Sequence, residues 1–298
     1  MRPRSKRANR CGMILALAAS VAAAAQTTAP RPAWAPVETQ PATTQASTTK
    51  PATTRPTSTP ALDPEIDKIL TRLEERVVHD LHARLSWRQQ YVTDLEEEAA
   101  TKNGEIWYQK SQPVARFLIH FTESITAGRR DKLDERHLFD GCWYVELQSR
   151  TRTLTRREVR KPEDPTDPYR LGQGPFPLPF GQKKEDVLRE FEVQRIPAAS
   201  DDPPATDHIR LVPRAGTQTG QSYRTLDVWI SQEGPTAGLP IKVRAAKLRG
   251  TGQLDSYITI TFSDARLNQG FSGSLFDIKA PPGYEVIEER LEPAGTPP

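Results

Sequence analysis

Apolar residues recur at three- and four-residue steps where the patterned part of the chain begins: Ile66, Ile69, Leu70, Leu73, Val77, Val78, Leu81 and Leu85. A stripe of that spacing predicts an amphipathic helix pressed on a core. Asp63-Pro64 supplies its start, an N-cap acceptor followed by proline at the first helical position. After Leu85 the period becomes two. Phe117, Ile119 and Phe121 alternate with Leu118 and His120, and Leu226, Val228 and Ile230 alternate with Thr225, Asp227 and Trp229. Ile241, Val243 and Ala245 repeat the pattern, as do Ile258, Ile260 and Phe262. Strands dry on one face and wet on the other predict antiparallel sheet, about ten strands in all.

One interruption stands out. Residues 164–181 read DPTDPYRLGQGPFPLPFG, too rich in proline for the centre of a sheet. A short amphipathic helix is expected over Gln182–Glu190, with Val187 and Leu188 turned inward. Phe176, Leu178 and Phe180 need an apolar surface, and the dry concave face of a curved sheet is the simplest one. A long sheet with one dry face either closes into a barrel or curls and is capped. Two caps are available here, the helix beginning at Pro64 and the Phe176–Leu188 segment. An interior that wide has room for a hydrocarbon chain, unless the caps fill it. The pattern leaves both outcomes open.

The ends of the chain change the picture of where it works. Five basic residues (Arg2, Arg4, Lys6, Arg7 and Arg10), an apolar run from Gly12 to Ala25 and the exit Ala23-Ala24-Ala25 read as a secretory signal peptide over 1–25. That run is short of the ~20 apolar residues of a spanning helix, so cleavage is expected rather than anchoring. Residues 26–61 are Pro, Thr and Ala with scattered charges, a composition expected to form a disordered spacer. The folded domain is expected over 62–292, with a disordered tail at 293–298. The 298-residue chain carries 41 basic and 38 acidic residues, a formal +3, but without the five basic residues of the signal the count is 36 against 38. Charge therefore gives no reason to expect a nucleic-acid partner. Of two cysteines, Cys11 leaves with the signal and Cys142 remains alone, so no internal disulfide is expected. Cys11 also precedes the apolar run, where it cannot serve as an N-terminal lipid anchor. The mature chain is expected to be a soluble monomer.

Catalytic chemistry is hard to find. His79 and His82, three residues apart on the expected first helix, lack a third ligand close in sequence, so no metal is expected. Gly172-Gln173-Gly174 lacks the Lys-Ser/Thr of a phosphate loop. Gly270-Phe271-Ser272-Gly273 brings its second glycine one residue too early for a nucleophile elbow. Cys142 has no histidine beside it, and Asp140 before Gly141 reads as turn chemistry. No enzymatic activity and no cofactor are expected.

Several runs, in order, resemble the LolA family of periplasmic lipoprotein carriers. Gly104-Glu105-Ile106-Trp107-Tyr108-Gln109-Lys110, then Pro113 and Phe117, is similar to that family's glycine–tryptophan–lysine–proline run. Phe139-Asp140-Gly141-Cys142-Trp143-Tyr144 is similar to its next hairpin, Leu211-Val212-Pro213 to a later strand, and Phe276 with Pro281-Pro282-Gly283-Tyr284 to its closing segment. The succession runs from about Leu70 to Leu291. The resemblance implies a mainly β fold with some α, an unclosed antiparallel half-barrel capped by an N-terminal helix and a lid. It also implies a function: acyl chains of lipoproteins or other lipids taken from an inner-membrane donor and passed to an outer-membrane acceptor. A relative of similar fold is a sensor of envelope stress, which makes an envelope sensor or interaction module the alternative. In the carriers an arginine just before the strand proline holds the lid; here Gln112 stands there, with Arg116 as a nearby substitute. The expected cavity lining is Trp107, Phe117, Ile119, Phe121 and Trp143, with Phe176, Leu178 and Phe180 as lid.

Overall fold

Helix α1 (Pro64–Glu75) begins where the sequence places it, with the Asp63 carboxylate accepting a hydrogen bond from Glu65 N at 2.8 Å. The computed structural model describes residues 62–76, 78–92, 99–110, 115–164, 171, 176–178 and 180–291. Ile66, Ile69 and Leu70 are buried, but the helix stops at Glu75, short of its expected reach. Leu81 and Leu85 belong instead to strand β1 (Asp80–Tyr91), where Leu81, Ala83 and Leu85 face one side. Four residues are one helical turn but also two pleats, so a Leu-x-x-x-Leu pair satisfies either period. Val77 lies outside the described residues.

Strands β2 (Ala99–Gln109), β3 (Arg116–Thr126), β4 (Arg129–Phe139), β5 (Trp143–Gln148) and β6 (Thr153–Glu158) follow. After the Pro-rich segment come helix α2 (Lys184–Glu190) and strands β7 (Phe191–Ile196) and β8 (Thr206–Pro213). The one-turn α3 (Gln218–Ser222) leads to β9 (Tyr223–Ser231), β10 (Pro240–Leu248), β11 (Leu254–Leu267) and β12 (Glu285–Glu289). That is twelve strands among the described residues, not ten, in one sheet of order β12-β6-β5-β4-β3-β2-β1-β11-β10-β9-β8-β7. The sheet does not close; β12 and β7 are its two edges. All pairings are antiparallel except β12 on β6.

The concave face is the larger core. It joins α1, α2, Leu171, Phe176, Leu178 and Phe180 to the inward residues of β1–β5 and β7–β11. A second core lies on the convex side, which the alternating pattern does not anticipate. There Leu118, Leu138, Val145, Leu147 and Leu154 are covered by Phe276 and flanked by Phe271, Leu275, Ile278, Ala280 and Tyr284 from the C-terminal segment.

Candidate functional site

The inward wall is set by register. Phe117 pairs Tyr108 on one side and Phe139 on the other, while Ile119 pairs Ile106 and His137. Phe139 in turn pairs Tyr144. Directly opposed residues share a face, so Phe117, Ile119 and Phe121 line the concave side with Ile106, Tyr108, Phe139 and Tyr144. Trp107 does not, because it pairs Leu118 on the convex face, where it stacks on His82 at 4.8 Å. Trp143 is also convex, beneath the guanidinium of Arg156 at 5.0 Å. The expectation that these two tryptophans line the cavity is corrected: a one-residue offset reverses the face. His79 precedes β1 and His82 lies within it, so the expected helical histidine pair does not exist.

Over this wall runs the strap that carries Phe176, Leu178 and Phe180, all buried. Phe176 meets Trp87, Phe117 and His137 edge-on at 5.3, 6.3 and 5.0 Å between ring centres. Phe180 meets Tyr108 at 5.8 Å and Phe262 at 5.0 Å. Among the described residues, the strap's backbone hydrogen bonds close within the strap itself: Leu178 N to Phe176 O, Leu171 N to Gln182 Oε1, and Gln182 Nε2 to Phe180 O. Gly181 ends it at φ +69°, so close to Tyr108 that a Cβ there would come 2.6 Å from the phenol oxygen. Only glycine takes that conformation and that approach without strain. Beyond it, Lys184 of α2 ties to α1 through Asp67 at 2.5 Å and Thr71 at 3.1 Å. Val187 of α2 is buried and Leu188 half-buried.

Where the strap ends, a hollow of about 230 Å³ opens beside Phe180. Leu81, Leu239, Phe262 and Ala265 supply apolar lining, and Thr236, Ser263 and Asp264 supply polar lining.

Beneath Phe176 lies a row of polar residues that the sequence pattern does not reveal. Lys102 Nζ donates to both Glu135 oxygens at 2.7 Å, His137 Nε2 lies 2.7 Å from Glu135 Oε1, and His137 Nδ1 lies 2.7 Å from the Tyr144 hydroxyl. Glu135, His137 and Tyr144 are 9%, 6% and 7% exposed. Burial pushes the Glu135 carboxyl up, but hydrogen bonds from His137 and Lys102, and their charges, outweigh it and hold the pKa at about 2. An ionised carboxylate only accepts, so Nε2 carries a proton and donates it to Glu135. The available signal was the two-residue spacing of Glu135, His137 and Phe139 in one strand.

The lid-control expectation fares differently. Gln112 lies outside the described residues. Arg116 is on the convex side, its guanidinium 4.3 Å from the Phe276 ring centre and bonded to Gln109 Oε1 at 2.5 and 2.7 Å. It therefore cannot substitute as a latch on a concave lid. Cys142 is half-buried, with Arg160 Nη1 3.6 Å from its sulfur, and Asp140 Oδ1 accepts Cys142 N and Trp143 N, the turn chemistry expected.

No protein-family model matches the chain, and no curated protein does. Among solved structures, it is similar to an uncharacterised conserved protein from Thermus thermophilus, at 10% identity and TM-score 0.42, over 76% of this chain and 99% of that one. A putative outer membrane lipoprotein-sorting protein domain from Vibrio parahaemolyticus matches at 13% identity and TM-score 0.35, over 72% and 95%. A LolA superfamily protein from Nitrosomonas europaea matches at 12% identity and TM-score 0.35, over 71% and 97%. At such low similarity, what this chain binds has to be read from its own residues.

Proposed function

We propose that this chain is a non-enzymatic periplasmic carrier that holds acyl chains of lipoproteins or other lipids under the strap, between an inner-membrane donor and an outer-membrane acceptor. The supporting observation is that an irregular strap, rather than a further strand, covers the apolar concave face of the sheet with Phe176, Leu178 and Phe180. A hollow of about 230 Å³ is room for about eight methylene-sized groups at ~30 Å³ each, below the usual size of a ligand pocket. A long chain therefore needs the strap displaced. Burying Phe176, Leu178 and Phe180 contributes about 1.5–3 kcal/mol each, against ~0.8 kcal/mol per methylene. About six to eleven methylenes match the strap, so a longer fatty chain outcompetes it and a short one does not. Export is supported by the pattern of residues 1–25.

Mass spectrometry of organic extracts from the purified protein should show co-purified acyl lipid. The stripped protein should take up a fluorescent long-chain fatty acid, and more of it when Phe180→Ala weakens the strap. Absence of both lipid and uptake would sink the carrier reading. The small hollow favours the alternative in that event: an envelope sensor or interaction module whose strap stays closed until a peptide or lipid reaches it. Thermal stabilisation by an envelope-protein peptide, with no acyl uptake, would mark that case.

A further inference from the structure

The convex face has two halves. Over β3–β6 it is apolar and lies under Phe276 and its neighbours. On β1, β11 and β10 the residues out of phase with the buried Leu85, Ile260, Val243 and Ala245 turn outward, and these are polar or basic. Arg88 and Arg244 flank Thr259 in one row of the sheet, two strand spacings or about 10 Å apart. In the next row Ser86 and Lys242 flank Thr261. Residues 84–90, 242–246 and 257–261 of these strands contain no carboxylate. The chain without its signal has 36 basic and 38 acidic residues, so this clustering is local and not a result of overall charge.

Acids on neighbouring elements neutralise only part of it. Arg84 is matched by Asp264 at 3.3 Å. Asp227, opposite Arg244 in register, accepts from Arg210 at 2.8 Å and lies 3.1 Å from His208 Nε2. Arg244 itself is exposed and rests on the Tyr257 ring at 4.5 Å, while Lys242 rests on the Trp229 ring at 4.2 Å, its charge also felt by Asp202. Stacking on a ring holds a cation in place without cancelling its charge. Arg88 is exposed, stands opposite Thr101 and Thr259, and has no ion-pair partner among the described residues.

We propose that this face docks on an anionic bilayer, with lipid phosphates received at Arg88 and Arg244 and the Thr259 hydroxyl between them. A bilayer fits better than an acidic protein because of what borders the cations. Tyr91 and Val92, 39% and 41% exposed, follow Arg88 at the end of β1, and Val92 N is held by Asp255 O at 2.9 Å. Basic residues beside exposed aromatic and aliphatic ones suit the head-group boundary, where charge meets phosphate and apolar tips enter the acyl region. The docking does not depend on what the interior of the sheet holds.

The test is co-sedimentation of the full-length mature chain with vesicles of phosphatidylcholine alone or mixed equally with phosphatidylglycerol. Binding to the mixed vesicles should be at least tenfold stronger and should fade between 50 and 500 mM salt. At about fivefold per charge, Arg88→Gln/Arg244→Gln should weaken it about thirtyfold. Arg88→Lys/Arg244→Lys should retain most of it, which separates lost charge from lost folding. Arg150→Gln/Arg195→Gln, an equal charge change in the β5–β6 turn and on edge strand β7, should leave it within about threefold. Equal binding to both vesicles, or equal losses from the two glutamine pairs, would overturn the proposal. So would capture of polyglutamate without vesicle binding, which would assign the face to an acidic protein. Each of these failures leaves the acyl-carrier reading standing, since that is judged by co-purified lipid and fatty-acid uptake.

Discussion

Glu135 is a carboxylate that folding keeps ionised although it is almost withdrawn from water. Its folded pKa of about 2 lies below its ordinary 4.5, so it adds stability above pH 4.5 and loses that contribution as pH falls toward 2. With its partner Lys102 37% exposed, the contribution is on the order of 2 kcal/mol rather than the full value of the shift. Denaturant titrations at pH 7 and pH 3 should therefore show a larger loss for the wild type than for Glu135→Gln, whose side chain has no proton to gain. Equal losses would mean that Glu135 is not held ionised by folding. None of this was legible as chemistry. A Glu-x-His pair in a charged strand reads as a solvated face until register shows that it shares a side with Phe139. Trp107 gives the converse lesson: an aromatic beside a cavity wall, yet one residue out of phase with it.

Between Leu267 and the final strand the chain does two different jobs. Phe276 covers the convex core and carries Arg116 on its ring, whereas all five residues of β12 are exposed, Val286 at 55%. Phe276→Ala should cost about 3–5 kcal/mol, as for other buried aromatics. Ending the chain after Tyr284 should cost clearly less, because β12 adds backbone pairing and the ion pairs of Arg156 and Arg157 with Glu288 and Glu289 but little buried surface. That truncation also uncovers the edge of β6, and an uncovered edge invites pairing with another chain. Size-exclusion chromatography should show association of the truncated protein only, and calorimetry should rank the two variants. A truncation that unfolds the domain would contradict this division of labour. Among the elements, the alternating strands and the start of α1 were readable from period alone. The end of α1 was not, since Leu81 and Leu85 fit both periods.

Across the whole molecule, stability should be uneven. Strands β1, β11 and β10 sit mid-sheet with hydrogen bonds on both sides, while the described strap bonds only to itself. In hydrogen exchange, the Leu178 amide should open at a free energy at least about 2 kcal/mol below that of Ile260, and a bound acyl lipid should change the strap's protection and leave the strands' unchanged. Equal protection in the free protein would make the strap a fixed part of the core. The sequence by itself determined the strand alternation, the start of the first helix and the need of Phe176, Leu178 and Phe180 for an apolar surface. Each follows from local spacing and side-chain chemistry. Tertiary structure alone decided which face each strand turns inward, that the convex side is also covered, and that four polar residues meet under the strap. Those depend on register between strands and on contacts between segments far apart in the chain, which local period does not encode.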